Sequence, residues 1–299
     1  MATPTPEEPF GITPVYDILL RGSEQTPVGL CHLFIATAAQ LTHLHYSDNS
    51  VKLIKSRLKI LADNGYAQED WTPTRRLRSP YHYMLGTKGV EYLRDVGLDI
   101  PDSFRASKEV GKSYLHIQHA LELNDIIIAA ALLKQHATYY SLVAFQHERE
   151  LARNPYHTLW QGHKFGLVPD AFLDFREALP DGRQRRIPVL LEHDRNTEER
   201  RQFRRKVRAY ITLLKSEAYK ERFKVNSITI AFTTFSGEKR RDKLREWTKQ
   251  ELEGEPKHLA AYFMFTAQLQ PPEPRRLWLE PCWYTSDMED EPIALLTGE

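Results

Sequence analysis

Three carboxylates and a block of cations stand close together in the middle of the chain. Asp170 follows Pro169 in the first of two apolar runs, 167–175, while Glu192 and Asp194 lie two residues apart at the end of the second, 187–193. A strand repeats every two residues, so Glu192 and Asp194 share a face. Carboxylates at adjacent strand ends are donors for a hard divalent ion, Mg2+ or Mn2+, which polarises a phosphodiester and lowers the pKa of bound water. Directly downstream come Arg200, Arg201, Arg204, Arg205, Lys206 and Arg208, with Glu198 and Glu199 as the only acids beside them in sequence. Cations at that density repel one another, and a polyanion such as DNA relieves them. In the catalytic reading Asp170 and Glu192 bind the metal, Asp194 orients water and Lys206 stabilises charge on the phosphate. In the bland reading Asp170 and Glu192 are hairpin-end carboxylates that recruit ionic partners such as Arg195 or Arg205. Lys206 reaching the Asp170–Glu192 cleft favours the first; Arg195 or Arg205 filling it favours a degenerate site that still grips DNA.

The elements that must position these groups follow from pattern. Pro180-Asp181-Gly182 between two β-prone runs predicts an antiparallel hairpin. Asn196 or Thr197 is a candidate cap for a helix in which Phe203, Val207 and Tyr210 face inward and Arg201, Arg205 and Arg208 form one outward stripe. Upstream, 112–137 predicts a long helix, apolar nearly all round over 126–133. His116 and His119 lie one turn apart on it and could share a metal, but no third ligand is evident nearby, which favours a structural role. A strand at 139–145 follows, then a loop at 154–166 whose Tyr156, His157, Trp160 and His163 fit packing over a core edge better than stacking on bases. Downstream, the β-branched run 225–235 predicts a central strand, 237–253 a helix with Leu244, Trp247 and Leu252 inward, and 260–266 and 277–284 two more strands. Residues 271–274 read as a spacer. The order from Lys112 is αβββαβ.

Before this region, 14–21 and 36–45 predict helices, the second capped by Thr37. Residues 50–65 form a third, with Val51, Ile54, Leu58 and Leu61 inward, Lys52, Lys55, Ser56 and Lys59 outward, and Gly65 closing it. Strands at 66–71 and 81–85 flank a tip bearing Arg75, Arg76 and Arg78, and a fourth helix runs over 87–96. The SRLKILADNGY and YHYMLGTKGVEYL runs resemble the recognition-helix end and the wing-to-last-helix passage of a winged helix-turn-helix. That resemblance implies that the third helix enters the major groove and the arginine wing follows a flanking groove or the phosphates.

At 299 residues the chain accommodates two domains, 1–100 and 112–299, joined by a linker at 101–111. A net charge of +1 does not announce a nucleic-acid partner, but 52–59, 75–78 and 200–208 are locally basic and 287–299 is acidic. Cys31 and Cys282 give neither a disulfide framework nor zinc spacing. No apolar run approaches about 18 residues and residues 1–9 are acidic and proline-rich, so the expectation is a cytoplasmic protein with no membrane association.

Pro169-Asp170, then Glu192, on an αβββαβ core resembles the PD-(D/E)XK nuclease superfamily. The sequence departs from that pattern where the lysine should stand, since Asp194 occupies the place, and Lys206 is the spatial substitute. Together with the winged helix, the runs LEHDRNTE and RRKVRAY resemble the replication-relaxation family of bacterial plasmid and mobile-element proteins. The resemblance implies an α+β chain, a winged helix-turn-helix followed by a PD-(D/E)XK nuclease-like domain, that binds double-stranded DNA in plasmid replication or relaxation. A degenerate nuclease-like domain is the leading expectation. The rivals are an active Mg2+-dependent endonuclease or nickase, and a non-catalytic scaffold that forms a homodimer or recruits replication proteins.

Overall fold

The computed structural model describes residues 13–14, 33–71, 81–95, 97, 100, 113–287 and 291–296. Arg75, Arg76 and Arg78, the linker 101–111, Cys31 and most of the helix expected at 14–21 lie outside the described residues. The chain is a mixed α+β structure. After a two-residue strand β1 (Thr13–Pro14) come β2 (Ile35–Thr37), α1 (Ala38–His45), α2 (Val51–Asp63), β3 (Ala67–Asp70), β4 (His82–Leu85) and α3 (Thr87–Asp95). The strands form a small antiparallel sheet in the order β2-β4-β3. Thr37 starts α1 with a capping box: its Oγ1 accepts from the Gln40 N–H at 3.2 Å, while Gln40 Oε1 accepts from the Thr37 N–H at 3.0 Å. Gly65, at φ 80°, ends the α2 turn in the left-handed region. Helix α3 approaches β3 so closely at Gly89 that a Cβ there would sit 2.2 Å from the Tyr66 carbonyl oxygen, so only glycine fits.

The larger part contains α4 (Tyr114–Ala131), α5 (Leu133–His136), β5 (Tyr140–His147), α6 (Glu148–Leu151), β6 (Tyr156–Trp160), β7 (His163–Leu167), β8 (Ala171–Ala178), β9 (Gln184–Asp194), α7 (Arg200–Lys215) and α8 (Ala218–Phe223). It ends with β10 (Thr229–Thr234), α9 (Glu238–Leu252), β11 (Phe263–Ala267), α10 (Pro274–Leu279) and β12 (Tyr284–Thr285). Seven strands make one mixed sheet in the order β1-β5-β8-β9-β10-β11-β12. β5 pairs with β8 and β8 with β9 antiparallel, while β9, β10 and β11 are parallel. The β8–β9 turn is the one expected from Pro180-Asp181-Gly182, with Gly182 at φ 82°. Val189, Leu191 and Ala231 pack with Leu123 and Ile126 of α4. Leu190, Phe172 and Phe232 pack on the other face with Phe203, Val207 and Tyr210 of α7 and Leu244 and Trp247 of α9. Both faces of the central strands are covered, which is why those strands read as unbroken apolar runs.

Helix α4 also holds the small sheet. Its Asn124 Nδ2 donates to the carbonyls of Leu33 (3.1 Å) and Ile35 (2.5 Å), and Gln40 Nε2 of α1 donates to the Leu121 carbonyl and to Asp125 Oδ1, both at 2.7 Å. Apolar residues of α1, α2 and β4 therefore join one core with α4, β5, β8 and β9.

Four local expectations are corrected. Residues 154–166 do not form a loop: β6 and β7 pair as a hairpin that turns at Gln161-Gly162, φ 49° and 79°. Neither Asn196 nor Thr197 caps α7; Glu199 stands at its N-cap without a side-chain bond. The strand expected at 277–284 is largely α10, because Glu273 accepts from the Arg275 and Arg276 N–H groups and Pro274 occupies the first turn, where its missing N–H costs nothing. The segment 271–274 is thus a helix start, not a spacer.

Candidate functional site

Asp170 immediately precedes β8, and its position is fixed from three sides. Its N–H donates to the Leu191 carbonyl at 3.1 Å, its Oδ2 accepts from the His193 N–H at 2.7 Å, and its Oδ1 lies 3.3 Å from His119 Nε2 of α4. Burial alone would raise its pKa, but His119, Lys206 and the His193 N–H hold the carboxyl well below the usual range. The reverse applies to His119: burial opposes its charge, yet Asp170 and Glu148 push its pKa up to about 9. Glu148 opens α6 and donates its N–H to the Asp170 carbonyl at 2.8 Å, so the two carboxylates are neighbours by construction. Burial, then the charge of Asp170, raises the Glu148 pKa. One ligand atom each from His119, Glu148 and Asp170 lies within 4.8 Å of the others.

Glu192, on β9, is 1% exposed. Lys206 Nζ donates to its Oε2 at 2.8 Å and Tyr210 Oη to its Oε1 at 2.5 Å. Both donors sit on α7, one turn apart, because the i, i+4 spacing stacks them on one face. Burial pushes the Glu192 carboxyl up to about 8 and Asp170 adds to the rise, against the pull of Lys206 and Tyr210. Burial likewise works against the charge of Lys206, but the carboxylates of Glu192, Glu198 and Asp170 outweigh it and keep the ammonium well above its ordinary pKa. Lys206 Nζ also pairs with Glu198 Oε1 at 2.8 Å.

Lys206 therefore reaches Glu192, and neither arginine expected as a rival fills the cleft. Arg195 donates to Glu122 Oε2 and to the Leu115 carbonyl, each at 3.0 Å, and the Arg205 guanidinium lies 4.5 Å over the Phe165 ring of β7. Asp194 shares the Glu192 face but is engaged elsewhere: Arg240 of α9 grips it with two 2.7 Å hydrogen bonds, and the Asn196 N–H adds a third at 2.8 Å. His193 points to the opposite face, its Nε2 3.0 Å from Glu122 Oε2 and its Nδ1 3.0 Å from Thr233 Oγ1.

The cations of α7 are not offset by Glu198 and Glu199 alone, and this expectation is corrected. Glu251 of α9 accepts from Arg204 and Arg208, Glu255 from Arg208 at 2.8 Å, and Gln250 from Arg200 at 2.6 Å. The stripe of Arg201, Arg205 and Arg208 is thus uneven. Arg208 is paired and Arg205 stacked, while Arg201 is exposed and makes no hydrogen bond or ion pair among the described residues. On α2, Lys52, Lys55, Ser56 and Lys59 are all exposed opposite buried Ile54 and Leu58. Among the described residues only Lys59 has an ion partner there, Asp63 at 3.6 Å, and Ser56 Oγ donates to the Lys52 carbonyl. Leu53 and Ile60 share that outer face and are half or more exposed.

The participants that spacing did not reveal are Glu148, Glu122, Arg240 and Tyr210. A signal existed for Glu122: it lies one turn after His119 on a helix otherwise apolar toward its end, and polar residues persisting on such a face mark a polar contact inside. For Arg240, Asp194 is 46 residues away and sequence offered none.

No helix among the described residues is long and apolar enough to cross a membrane. No curated protein and no solved structure matches the chain. The family model described as Replication-relaxation matches residues 30–252, about three quarters of the sequence. That span takes in α1 to α3, Asp170, Glu192, Lys206 and the whole of α9, and on this match the chain belongs to the replication-relaxation family, which ties it to the replication or relaxation of mobile DNA.

Proposed function

We propose that the protein binds double-stranded DNA during replication or relaxation of a plasmid or mobile element, with α2 as the groove-facing helix of a winged helix-turn-helix and a PD-(D/E)XK-like core behind it. The observation that carries this reading is the outer face of α2, where Lys52, Lys55 and Lys59 are exposed around Ser56, only Lys59 having an ion partner among the described residues, while Ile54 and Leu58 anchor the other face. Such a helix offers ammonium groups to phosphates and short side chains to base edges. Fluorescence anisotropy with a labelled duplex over a salt series tests it. Lys55→Ala should weaken binding to all duplexes alike and reduce the slope of log affinity against log salt by about one. Lys55→Glu with unchanged affinity at low salt overturns the assignment of α2.

A second reading, phosphodiester cleavage, is favoured by the reach of Lys206 to Glu192. The Mg2+ or Mn2+ ion expected between Asp170 and Glu192 meets a carboxylate whose two oxygens already accept from Lys206 and Tyr210, so that pair does not fit a divalent ion as the side chains stand. What these residues supply themselves is positioning: Glu192 and Tyr210 fix an ammonium beside Asp170, where it can take a phosphate oxygen and stabilise charge developing there. Supercoiled plasmid incubated with Mg2+ or Mn2+ separates the readings. Nicking lost in Asp170→Ala and in Lys206→Ala establishes cleavage; intact plasmid together with duplex binding leaves a DNA-binding protein with a degenerate site.

A further inference from the structure

We propose that His119, Glu148 and Asp170 form a site for a single divalent transition-metal ion of the Mn2+ type, with Glu192 outside the ligand set. Three separate elements bring the donors together: α4 supplies the imidazole, α6 one carboxylate, and the residue before β8 the other. The arrangement is held in advance of any ion. The Glu148 N–H on the Asp170 carbonyl ties the two acids together, and the His193 N–H on Asp170 Oδ2 leaves Oδ1 turned toward His119 Nε2. Support of this kind from a ligand's neighbours typically sets metal affinity as much as the ligands do.

The spacing suits one ion. Ligand bonds of about 2.0–2.2 Å place donors on opposite sides of an ion roughly 4.2 Å apart and adjacent donors closer. The three atoms already lie within 4.8 Å of one another, so the widest separation closes by about 0.6 Å for donors on opposite sides of an ion and by roughly 1–2 Å for adjacent ones, which side-chain torsions supply.

A second observation points the same way. The Glu148 carboxylate, half-buried beside the 9% exposed Asp170, makes no hydrogen bond or ion pair among the described residues. Two carboxylates and one imidazole thus converge on one point, and one of the three has its oxygens open to an ion. Contrast Glu192, whose two oxygens are both satisfied. The His119 and Asp170 side chains keep 23% and 13% exposure, so water or a phosphate oxygen can complete the coordination.

The donor chemistry sets the class of ion. Mg2+ favours all-oxygen ligation and keeps its waters, whereas an imidazole with two carboxylates suits Mn2+, Fe2+ or Zn2+. This site does not depend on DNA binding, and its test contains no DNA, so its failure leaves the assignment of α2 untouched.

The test is a titration of the full chain with Mn2+, following the free ion by electron paramagnetic resonance. One Mn2+ should bind per chain and survive a tenfold excess of Mg2+. Binding should weaken tenfold or more in His119→Ala and in Glu148→Gln, and persist in Glu192→Gln. Glu148→Gln removes a carboxylate that makes no hydrogen bond or ion pair among the described residues and should fold with the circular dichroism spectrum of the wild type. Spin-echo modulation of the wild-type complex needs no variant and should show a directly bound nitrogen. No bound Mn2+, equal displacement by Mg2+, unchanged affinity in Glu148→Gln, or absence of the nitrogen coupling overturns the site. Loss in Glu192→Gln with retention in Glu148→Gln overturns it as well and moves the ion to the Asp170–Glu192 pair.

Discussion

Replacing Asp194 by alanine separates a structural carboxylate from a chemical one. Arg240 donates from Nε to Asp194 Oδ2 and from Nη2 to Oδ1, both at 2.7 Å, and the two side chains are only 5% and 4% exposed. A guanidinium does not give up its proton in a protein, so truncating Asp194 leaves a full buried charge with the Glu198 carbonyl at 3.0 Å and the Trp247 ring at 5.2 Å as remaining company. Breaking a buried pair from one side costs about 3–5 kcal/mol. The Asn196 N–H lies at an exposed turn where water replaces the lost acceptor, and the bond to the Glu198 carbonyl is already made, so about 4 kcal/mol is expected overall. That is a large part of the roughly 5–15 kcal/mol that holds a typical native state together. Equilibrium unfolding in guanidinium chloride at pH 7, followed by circular dichroism, reads it directly. The paired replacement Asp194→Leu with Arg240→Met removes both charges and should return to within about 2 kcal/mol of the wild type. Asp194→Ala with stability within about 1 kcal/mol of the wild type, but with DNA binding or nicking abolished, would refute the view that Asp194 serves as the anchor of Arg240.

Two further outcomes follow from the site. His119 has a folded-state pKa near 9 against an ordinary 6.5, so its contribution to stability is complete below pH 6.5 and fades as the pH rises through 9. Asp170 has the opposite shift, and its contribution is present above the ordinary carboxylate range and lost on acidification. The difference in unfolding midpoint between wild type and His119→Gln should therefore be largest at about pH 5–6.5 and shrink toward pH 10; a constant gap would mean the imidazole acts only by packing. On α7, Arg201→Ala should lower duplex affinity without moving the melting temperature, whereas Arg208→Ala should lower the melting temperature by releasing Glu251 and Glu255. The opposite assignment of effects would place the DNA contact on the paired arginine.

Local pattern carried much of the architecture. The β8–β9 hairpin is readable because Pro180-Asp181-Gly182 is a turn whatever surrounds it, and the inward stripe of Phe203, Val207 and Tyr210 because α7 has one apolar face. The reach of Lys206 to Glu192 follows from the same helix, since Lys206 and Tyr210 must lie together once Phe203 and Val207 are buried. What local pattern could not supply was pairing between distant elements. The cations of α7 look unopposed in sequence, yet Glu251 of α9 and Glu255 just past its end stand across from them only because β10 returns the chain parallel to β9. Asp194 belongs to Arg240 for the same reason. Asp170 has Glu148 beside it because the antiparallel pairing of β5 with β8 sets His147 opposite Ala171, which brings the next residue of one strand to the last residue before the other, and His119 reaches it from α4.

Helix α4 bears on how this chain can be handled as separate pieces. Leu121, Asn124 and Asp125 hold α1 and β2, while His119 and Glu122, one turn earlier or on the adjoining face, hold Asp170 and His193. A protease cut or an expression boundary within 101–111 would leave Ile35 and Met84 bare on one fragment and Ile117, Ala120 and Leu121 bare on the other, since these five residues form one cluster. Each fragment would then present a sticky apolar face and lose the amide bonds of Asn124 and Gln40. Co-expressed halves should find each other and copurify, whereas either half made alone should aggregate, and the uncut chain should unfold in one cooperative transition.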